Sequence, residues 1–234
     1  MAGVFVTGTD TDAGKTVAAC AILVVLARRG LSVAGFKPVA AGAERTPAGL
    51  RNADAHLLRA FSSVPLDYED VNPVLLEMAI APHIAAQAAG LELEPGPLVD
   101  CRHRLGTRAQ VVVTEGAGGW LVPLSATSDM ADLALAIGDP VVLVVGMKLG
   151  CINHALLTAE SIHGRGCRLV GWVANCLDPA MSAVTENLET LSGMLGCPLL
   201  GCIPWLGDAP MEEKVELASR VIDGDVLGAA LATD

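Results

Sequence analysis

The chain has 234 residues, of which 52% are hydrophobic, 18% are charged and only 3% are aromatic. This length fits one large domain or at most two small ones, and the apolar content supports a sizeable buried core. The 15 basic and 26 acidic residues give a formal net charge of −11. An acidic chain with few aromatic residues lacks the basic surface and stacking platforms of nucleic-acid-binding proteins, so we expect no nucleic-acid partner.

The seven cysteines lie mostly in apolar segments, without a Cys-x-x-Cys pair or a metal-ligand spacing. Cysteines in such segments behave as small hydrophobic residues. This pattern indicates a protein that works in a reducing environment. No signal-peptide pattern precedes the first apolar run. The longest uncharged apolar stretch, residues 17–27, is too short to span a bilayer. We therefore expect a cytoplasmic protein with no membrane partner.

Short apolar runs alternate with stretches of helical periodicity. The predicted strands cover residues 4–7, 33–36, 111–114, 141–145, 169–174 and 199–203. The predicted helices cover residues 16–29, 53–61, 82–89, 97–105, 130–137, 152–163, 180–195 and 213–231. This alternation implies right-handed crossovers and a mostly parallel sheet with helices on both faces.

The first predicted strand runs into the loop GTDTDAGKT, residues 8–16, and then into an apolar helix. This context predicts phosphate binding: backbone N–H groups at the helix start hold the anion, Lys15 neutralises the outer phosphates, and the Thr16 hydroxyl reaches magnesium. Five residues separate Gly8 from Gly14, where four are usual. The alternative is an ordinary strand-to-helix turn with a solvated lysine.

These features predict a P-loop NTPase-like α/β fold, a three-layer α/β/α arrangement with a mostly parallel central sheet. We expect residues 1–234 to form a single domain, because no change in composition marks a linker. The stretch 42–105 is the longest between clear strands, so we expect a site-shaping insertion there.

Polar residues follow several predicted strands. Lys37 follows the second strand, Glu115 the third, Lys148 the fourth and Asn175 the fifth. Ligands of such sheets bind at the carboxyl ends of the strands. We therefore expect these residues to lie at the same edge as the loop 8–16.

Each candidate also has a plainer interpretation. Glu115 precedes a glycine-rich turn and could join Thr16 around magnesium, or be a strand-end acid in a flexible loop. Lys37 could stabilise charge on a transferring phosphoryl group, or extend to solvent at the sheet edge. Asp54 could be a metal ligand or a first-turn carboxylate favoured by the helix dipole.

Two carboxylates, Asp10 and Asp12, lie within the predicted phosphate loop itself. Carboxylates beside bound phosphate are electrostatically costly unless they meet a cation or accept hydrogen bonds. They indicate a second ligand that is cationic or carries amines, which Thr9 and Thr11 could orient.

Nine motifs together resemble the dethiobiotin synthetase family, from residue 3 to about 207. They are GTDTDAGKT (8–16), GFKPV (35–39), RNAD (51–54), VNP (71–73), PH (82–83), EGAGGW (115–120), KLGCINH (148–154), GWVAN (171–175) and IPWL (203–206). The longer loop spacing is itself a feature of that family.

The resemblance implies an ATP-dependent cyclo-ligase of biotin biosynthesis that needs Mg²⁺. The family closes the ureido ring of dethiobiotin from 7,8-diaminononanoate (7,8-diaminopelargonate), carbon dioxide or bicarbonate, and ATP. A carbamate forms on one amine and takes the γ-phosphoryl group as a carbamic-phosphoric anhydride. The second amine then closes the ring. This chemistry needs positioning and charge stabilisation more than a protein nucleophile.

The resemblance also implies roles for particular residues. Lys37 and Lys15 would be catalytic, and Thr16, Asp54 and Glu115 would hold magnesium. The residues implied for ATP are Asp12, Ala13, Gly14, Lys15, Thr16, Val17, Asp54, Glu115, Gly116, Ala117, Gly118, Asn175, Cys176, Pro204, Trp205 and Leu206. Asn175 would read the adenine edge.

The family works as a homodimer with substrate near the subunit interface. The residues implied for the diamine substrate are Thr11, Lys37, Ala41, Gly150, Cys151 and Asn153. The segment 150–153 resembles the part that reaches the neighbouring subunit's substrate carboxylate, which suits backbone N–H groups at a helix start.

Two positions depart from the family pattern. Ala41 stands where the family commonly has a serine near the carbamate, so a hydroxyl contact is lost there. Met211 stands where an acidic residue can contact the ribose, and the neighbouring Glu212 is a substitute.

Two other protein classes remain as alternatives. Amidotransferase-type synthases share a similar ATP domain but carry an added glutaminase domain, for which we expect no room in 234 residues. Partition and septum-positioning ATPases carry an extra lysine early in the loop, where this chain has Thr9, Asp10 and Thr11. They also commonly need a basic or amphipathic surface, and the sequence shows none.

Overall fold

The six apolar runs form the strands of one parallel sheet in the computed structural model, which describes residues 2–232. In chain order, the strands of the described residues are β1 (Ala2–Gly8), β2 (Val33–Phe36), β3 (Val39–Ala41), β4 (Glu44–Thr46), β5 (Gly49–Arg51), β6 (Val74–Leu76), β7 (Val111–Glu115), β8 (Val141–Met147), β9 (Leu169–Cys176) and β10 (Leu199–Ile203). The strands β3 to β6 lie outside the central sheet. The sheet order is β10-β9-β8-β1-β7-β2, with every neighbouring pair parallel.

Helices cover both faces of this sheet. They are α1 (Lys15–Arg28), α2 (Ala53–Ala60), α3 (Tyr68–Val71), α4 (Pro82–Ala88), α5 (Pro95–Gly106), α6 (Met130–Ile137), α7 (Cys151–Gly164), α8 (Val184–Met194), α9 (Met211–Ser219) and α10 (Gly224–Ala232). Successive residues of β1 point to opposite faces: Val4 and Val6 pack in the core beneath α1, and Phe5 packs in the core with α6. The predicted three-layer α/β/α class is confirmed.

The segment 42–105 contains a hairpin, β4–β5, and the strand β6, which pairs in parallel with β3 just before the segment. Within it, α2 packs against β2 and α1. This packing brings the start of α2 to the carboxyl end of the sheet, where β2 ends. That the segment is an insertion in a single domain stays a prediction.

The prediction of a single helix over residues 213–231 is wrong, because the helix is interrupted between α9 and α10. The break lies against β10: the Asp223 N–H donates to the Leu200 carbonyl at 2.8 Å, and a Cβ on Gly201 would overlap the Val221 carbonyl. Asp223 Oδ1 then accepts the N–H groups of Asp225 and Val226 and caps the new helix.

The helix predicted over residues 180–195 also begins later, at Val184. The residue before it, Ala183, has φ 58°, which lies in the left-handed region and is incompatible with a continuous helix from residue 180. The sequence carries no cap or proline signal there, so the periodicity alone placed the start too early.

A buried ion pair holds α5 to the sheet. Arg102 Nε and Nη2 bond both oxygens of Asp139, at 2.9 and 2.7 Å, and Nη2 also reaches the Ala2 carbonyl at 3.3 Å. Both side chains are buried, and a Cβ on Gly3 would overlap the pair. The ion pair therefore joins the start of β1, the start of β8 and α5.

Replacing Arg102 with Ala should lower the free energy of unfolding by about 3–5 kcal/mol, because Asp139 is left buried without its partner. Urea unfolding monitored by circular dichroism measures this. Arg104→Ala, an exposed position on the same helix, should cost less than about 0.5 kcal/mol. Equal losses in the two variants would contradict a structural role of the pair.

Candidate active site

The loop between β1 and α1 wraps around the side chain of Lys15. Lys15 is only 4% exposed, and its Nζ donates to the carbonyls of Asp10 and Thr11 at 2.8 and 2.7 Å. Burial lowers the pKa of Lys15 to about 8, although Glu115 opposes the shift. Gly14 opens α1 with φ 88°, which glycine adopts without strain.

Asn175 packs directly against this loop. Its Nδ2 donates to the Ala13 carbonyl at 3.0 Å, and a Cβ on Gly14 would overlap the same amide. Asn175 is 7% exposed and lies near the end of β9. The amide therefore fixes the turn that leads into α1, a contact that the sequence analysis did not anticipate.

Lys37 lies just after β2 with its ammonium between two carboxylates. Its Nζ is 2.6 Å from Glu115 Oε1 and 3.0 Å from Asp54 Oδ2. Burial lowers the pKa of Lys37, but the attraction of Glu115 and Asp54 outweighs burial and the net shift is upward. Lys37 therefore carries a positive charge on a buried side chain.

The two carboxylates differ in their surroundings. Burial raises the pKa of Glu115, and Lys37 opposes the shift. Burial also acts to raise the pKa of Asp54, but the charge of Lys37 and its hydrogen bond to Asp54 outweigh burial, so the net shift is downward. Asp54 is the more exposed of the two, with 38% of its side chain accessible.

The oxygen atoms around Thr16 suit a hard divalent cation. Thr16 Oγ1 donates to Glu115 Oε1 at 2.9 Å. The described residues offer no hydrogen-bond partner to the buried Glu115 Oε2, which leaves a carboxylate oxygen available for a ligand. A hydroxyl and two carboxylates are the donor types that Mg²⁺ prefers, so Thr16, Asp54 and Glu115 fit the ion.

These side chains open into a cavity of about 680 Å³. The predicted site residues that line it are Thr11, Asp12, Gly14, Lys15, Thr16, Val17, Lys37, Ala41, Asp54, Glu115, Ala117 and Gly118. Met211 also lines the cavity, whereas its neighbour Glu212 is exposed and does not. The opposite wall is largely apolar and consists of Ala40, Ala79, Ile80, Ala81, Pro82 and Val122.

Several predicted site residues lie outside the cavity lining. Ala13 and Gly116 are buried behind it. Cys176 lies at the end of β9, with its Sγ 4.0 Å from Cys202 Sγ. Pro204, Trp205 and Leu206 follow β10, and Trp205 is 53% exposed.

The segment 148–153 lies beside the phosphate loop. Lys148 Nζ is 2.7 Å from Asp10 Oδ2, and that hydrogen bond lowers the pKa of Asp10. Gly150, with φ 95°, precedes α7, where Cys151 is buried and Asn153 is exposed. The structure therefore separates Asn153 from the cavity within one chain.

Known proteins resemble this chain over most of its length. Residues 2–212 match the family described as an AAA domain. The ATP-dependent dethiobiotin synthetase BioD of Pseudomonas paraeruginosa is 54% identical over 89% of this chain and 92% of its own. The BioD of Pseudescherichia vulneris is 48% identical over 98% of this chain and 94% of its own.

The chain belongs to the dethiobiotin synthetase family. The family resemblance inferred from the motifs is thus confirmed.

Solved structures of low sequence identity support the fold of this dethiobiotin synthetase. The MinC:MinD cell division protein complex of Aquifex aeolicus has a TM-score of 0.61 at 15% identity, over 100% of this chain and 97% of that one. A ParA family ATPase of Chlorobium tepidum has a TM-score of 0.57 at 14% identity, over 98% and 99%. In residues 2–232, no helix has the length and apolar character needed to cross a membrane.

Asn175→Ala should weaken the binding of inorganic triphosphate as well as of ATP, by about tenfold each, because the Ala13 carbonyl loses its partner and the loop loosens. Isothermal titration with both ligands measures this. Weaker binding of ATP alone would show that Asn175 acts only on the base.

Proposed function

We propose that this dethiobiotin synthetase closes the ureido ring of its product from 7,8-diaminononanoate, carbon dioxide and ATP at the cavity beside Lys37. The observation that carries the proposal is the buried ammonium of Lys37, which lies 2.6 Å from Glu115 and 3.0 Å from Asp54. The family membership supports the overall reaction, and the geometry supports the assignment of residues.

The reaction proceeds in three steps. One amine attacks carbon dioxide, which forms an N–C bond and releases a proton. A carbamate oxygen then attacks the γ-phosphorus of ATP, and the bond to ADP breaks. The second amine finally attacks the carbamate carbon, expels phosphate and releases a proton. Every step builds or moves negative charge on oxygen atoms near the phosphate loop.

Lys37 and Lys15 stabilise that charge. Each is buried, so its attraction for a carbamate or phosphoryl oxygen is stronger than in water. Glu115 and Asp54 keep Lys37 protonated, which makes it an electrostatic stabiliser rather than a base. Lys15 already donates to two loop carbonyls, and phosphate oxygens offer stronger acceptors for the same ammonium.

Thr16, Asp54 and Glu115 would hold the magnesium ion. When bound, the ion neutralises phosphate charge and orients the transferring group. The residues that would line the phosphate side of the nucleotide are Asp12, Gly14, Lys15, Thr16, Val17, Glu115, Ala117 and Gly118, with Ala13 and Gly116 buried behind them. Asn175, Cys176 and the residues Pro204, Trp205 and Leu206 form the adenine side, with the exposed Trp205 ring available for the base.

The diamine lies on the other side of the same loop. The Thr11 hydroxyl and the Asp12 carboxylate line the cavity and suit an amine, whereas the carboxylate of Asp10 is paired with Lys148. Ala41 lines the same cavity and has no hydroxyl of its own. The apolar wall at Ile80 and Pro82 fits the hydrocarbon chain of the substrate. The elongated loop thus holds phosphate on one side and amines on the other.

A homodimer completes the site in this proposal. Asn153 is exposed, and the start of α7 does not line the cavity of its own chain, so in the dimer these groups would receive the substrate carboxylate of a neighbouring subunit. Leu149 is 99% exposed beside them, and Leu157 is exposed one turn after Asn153. An interface would bury both leucines.

Incubating the protein with diaminononanoate, bicarbonate and Mg-ATP should yield dethiobiotin by mass spectrometry. Lys37→Ala should lower the rate at least about 100-fold, because a buried stabilising charge is lost. Circular dichroism checks that the variant remains folded. ATP turnover that ignores the diamine and forms no cyclic urea would instead favour a nucleotide-dependent switch.

Asn153→Ala should raise the KM for the diamine far more than the KM for ATP. Mixing equal amounts of Asn153→Ala and Lys37→Ala protein should restore about one quarter of the wild-type activity at low diamine, because mixed dimers contain one intact site. Equal effects on both KM values, or no restoration, would contradict an Asn153 that serves the neighbouring subunit.

A further inference from the structure

Asn72, in the VNP motif, holds the backbone of Lys37. The Asn72 side chain is buried, and its Nδ2 donates to the carbonyls of Lys37 and Val74 at 2.7 and 3.0 Å. The Lys37 N–H in turn donates to the Val71 carbonyl at 2.7 Å. The residues that end α3 therefore bond both polar groups of the Lys37 backbone.

Asn52, in the RNAD motif, holds the start of α2 in a similar way. Asn52 Oδ1 accepts the Ala55 N–H at 3.3 Å and caps the helix. Asp54 lies in that first turn, from which its Oδ2 reaches Lys37 Nζ at 3.0 Å. The orientation of this turn therefore decides where the Asp54 carboxylate lies.

The Tyr68 hydroxyl joins these two supports. It accepts the Asn52 N–H at 2.7 Å and donates to Asn72 Oδ1 at 3.2 Å. The ring is buried, with the Arg51 guanidinium 4.3 Å from its centroid and the His56 ring at 5.0 Å. We call the hydrogen bonds that join Asn52, Tyr68 and Asn72 the Tyr68 bridge.

We infer that Tyr68 is a positioning residue for ring closure, because its hydroxyl sets where Asp54 and Lys37 lie relative to each other. The inference rests on the proposed function, which gives those two side chains their roles. The Tyr68 bridge closes a continuous set of bonds that runs from the Lys37 backbone through Asn72, Tyr68 and α2 to Asp54, and back to the Lys37 ammonium.

Removal of the Tyr68 hydroxyl deletes its hydrogen bonds with Asn52 and Asn72, so the continuous set of bonds is interrupted. The ion pair between Lys37 and Asp54 remains, but the Asn52 N–H before α2 loses its hydrogen-bonded connection to Asn72 at the end of α3. Small displacements of groups that act on a transition state reduce turnover strongly, even where ground-state binding is little changed. The expected effect is therefore on kcat rather than on KM.

Ser62 offers a matched control for a purely structural role. Its hydroxyl also accepts one backbone N–H, from Gly35 at 2.9 Å, and donates one hydrogen bond, to the Leu58 carbonyl at 2.7 Å. It ties the end of α2 to β2, away from the first turn that carries Asp54. Ser62→Ala and Tyr68→Phe thus delete hydroxyls with equal numbers of hydrogen bonds.

The test compares Tyr68→Phe with Ser62→Ala in steady-state kinetics, thermal unfolding and backbone hydrogen exchange. Tyr68→Phe should lower kcat about tenfold, with the KM for ATP and for the diamine changed less than about twofold. Exchange should accelerate at residues 52–55. Ser62→Ala should keep kcat within about twofold and leave exchange at residues 52–55 unchanged.

An equal fall of kcat in the two variants, or accelerated exchange with unaltered kcat in Tyr68→Phe, would overturn the inference. In an Asp54→Asn background, Tyr68→Phe should lower kcat less than about threefold, because both changes act on the same group. A full additional tenfold loss would contradict action through Asp54. If Tyr68→Phe does not fold, Asn72→Ala removes the acceptor of the Tyr68 hydroxyl together with the hydrogen bonds to the Lys37 and Val74 carbonyls, and it should lower kcat at least about tenfold; an unaltered kcat would overturn the inference.

A failure of the proposed function can be distinguished from a failure of the inferred role of Tyr68. If the Lys37→Ala variant closes the ring as fast as the wild type, Lys37 has no catalytic role for the Tyr68 bridge to support. A Lys37→Ala variant without activity, together with a Tyr68→Phe variant of normal kcat, would reject only the role of Tyr68.

Discussion

The buried ammonium of Lys37, placed between Glu115 and Asp54, is the interaction on which the rest of the site depends. Removing such a charge from water is unfavourable unless opposite charges and hydrogen bonds replace the lost hydration. Here the opposite charges come from the end of β7 and the start of α2, and Lys37 itself follows β2, so three separate parts of the chain meet. The fold must therefore hold these three parts together before any substrate binds.

The parallel sheet meets this requirement by placing β1 next to β7, and β7 next to β2. The phosphate loop after β1, Glu115 at the end of β7 and Lys37 after β2 then lie side by side. Only Asp54 comes from outside the central sheet, and it is also the more exposed carboxylate. Its position depends on the first turn of α2, where Asn52 Oδ1 accepts the Ala55 N–H.

The sequence predicted the six central strands and the residues at their ends, because buried parallel strands are continuous apolar runs and ligands meet their carboxyl ends. It failed where tertiary contacts decide. The break between α9 and α10 lies at the close approach of Val221 to Gly201, and its local signal, the capping Asp223 before Gly224, was masked by helical periodicity that continues across it. Tyr68 was missed because a lone aromatic in a short polar segment carries no signal of a hydroxyl bonded at both ends.

The hydrogen bonds of Lys15 to the carbonyls of Asp10 and Thr11 act as a filter on anions. Two of the three N–H donors of the ammonium are already used, so an anion that needs more than one of them must outcompete a backbone acceptor. A weakly charged anion such as bicarbonate or chloride gains little from that exchange, whereas a polyphosphate brings several charged oxygens at once. Because Lys15 already bonds carbonyls of its own loop, the loop favours nucleotide phosphates over small anions of low charge.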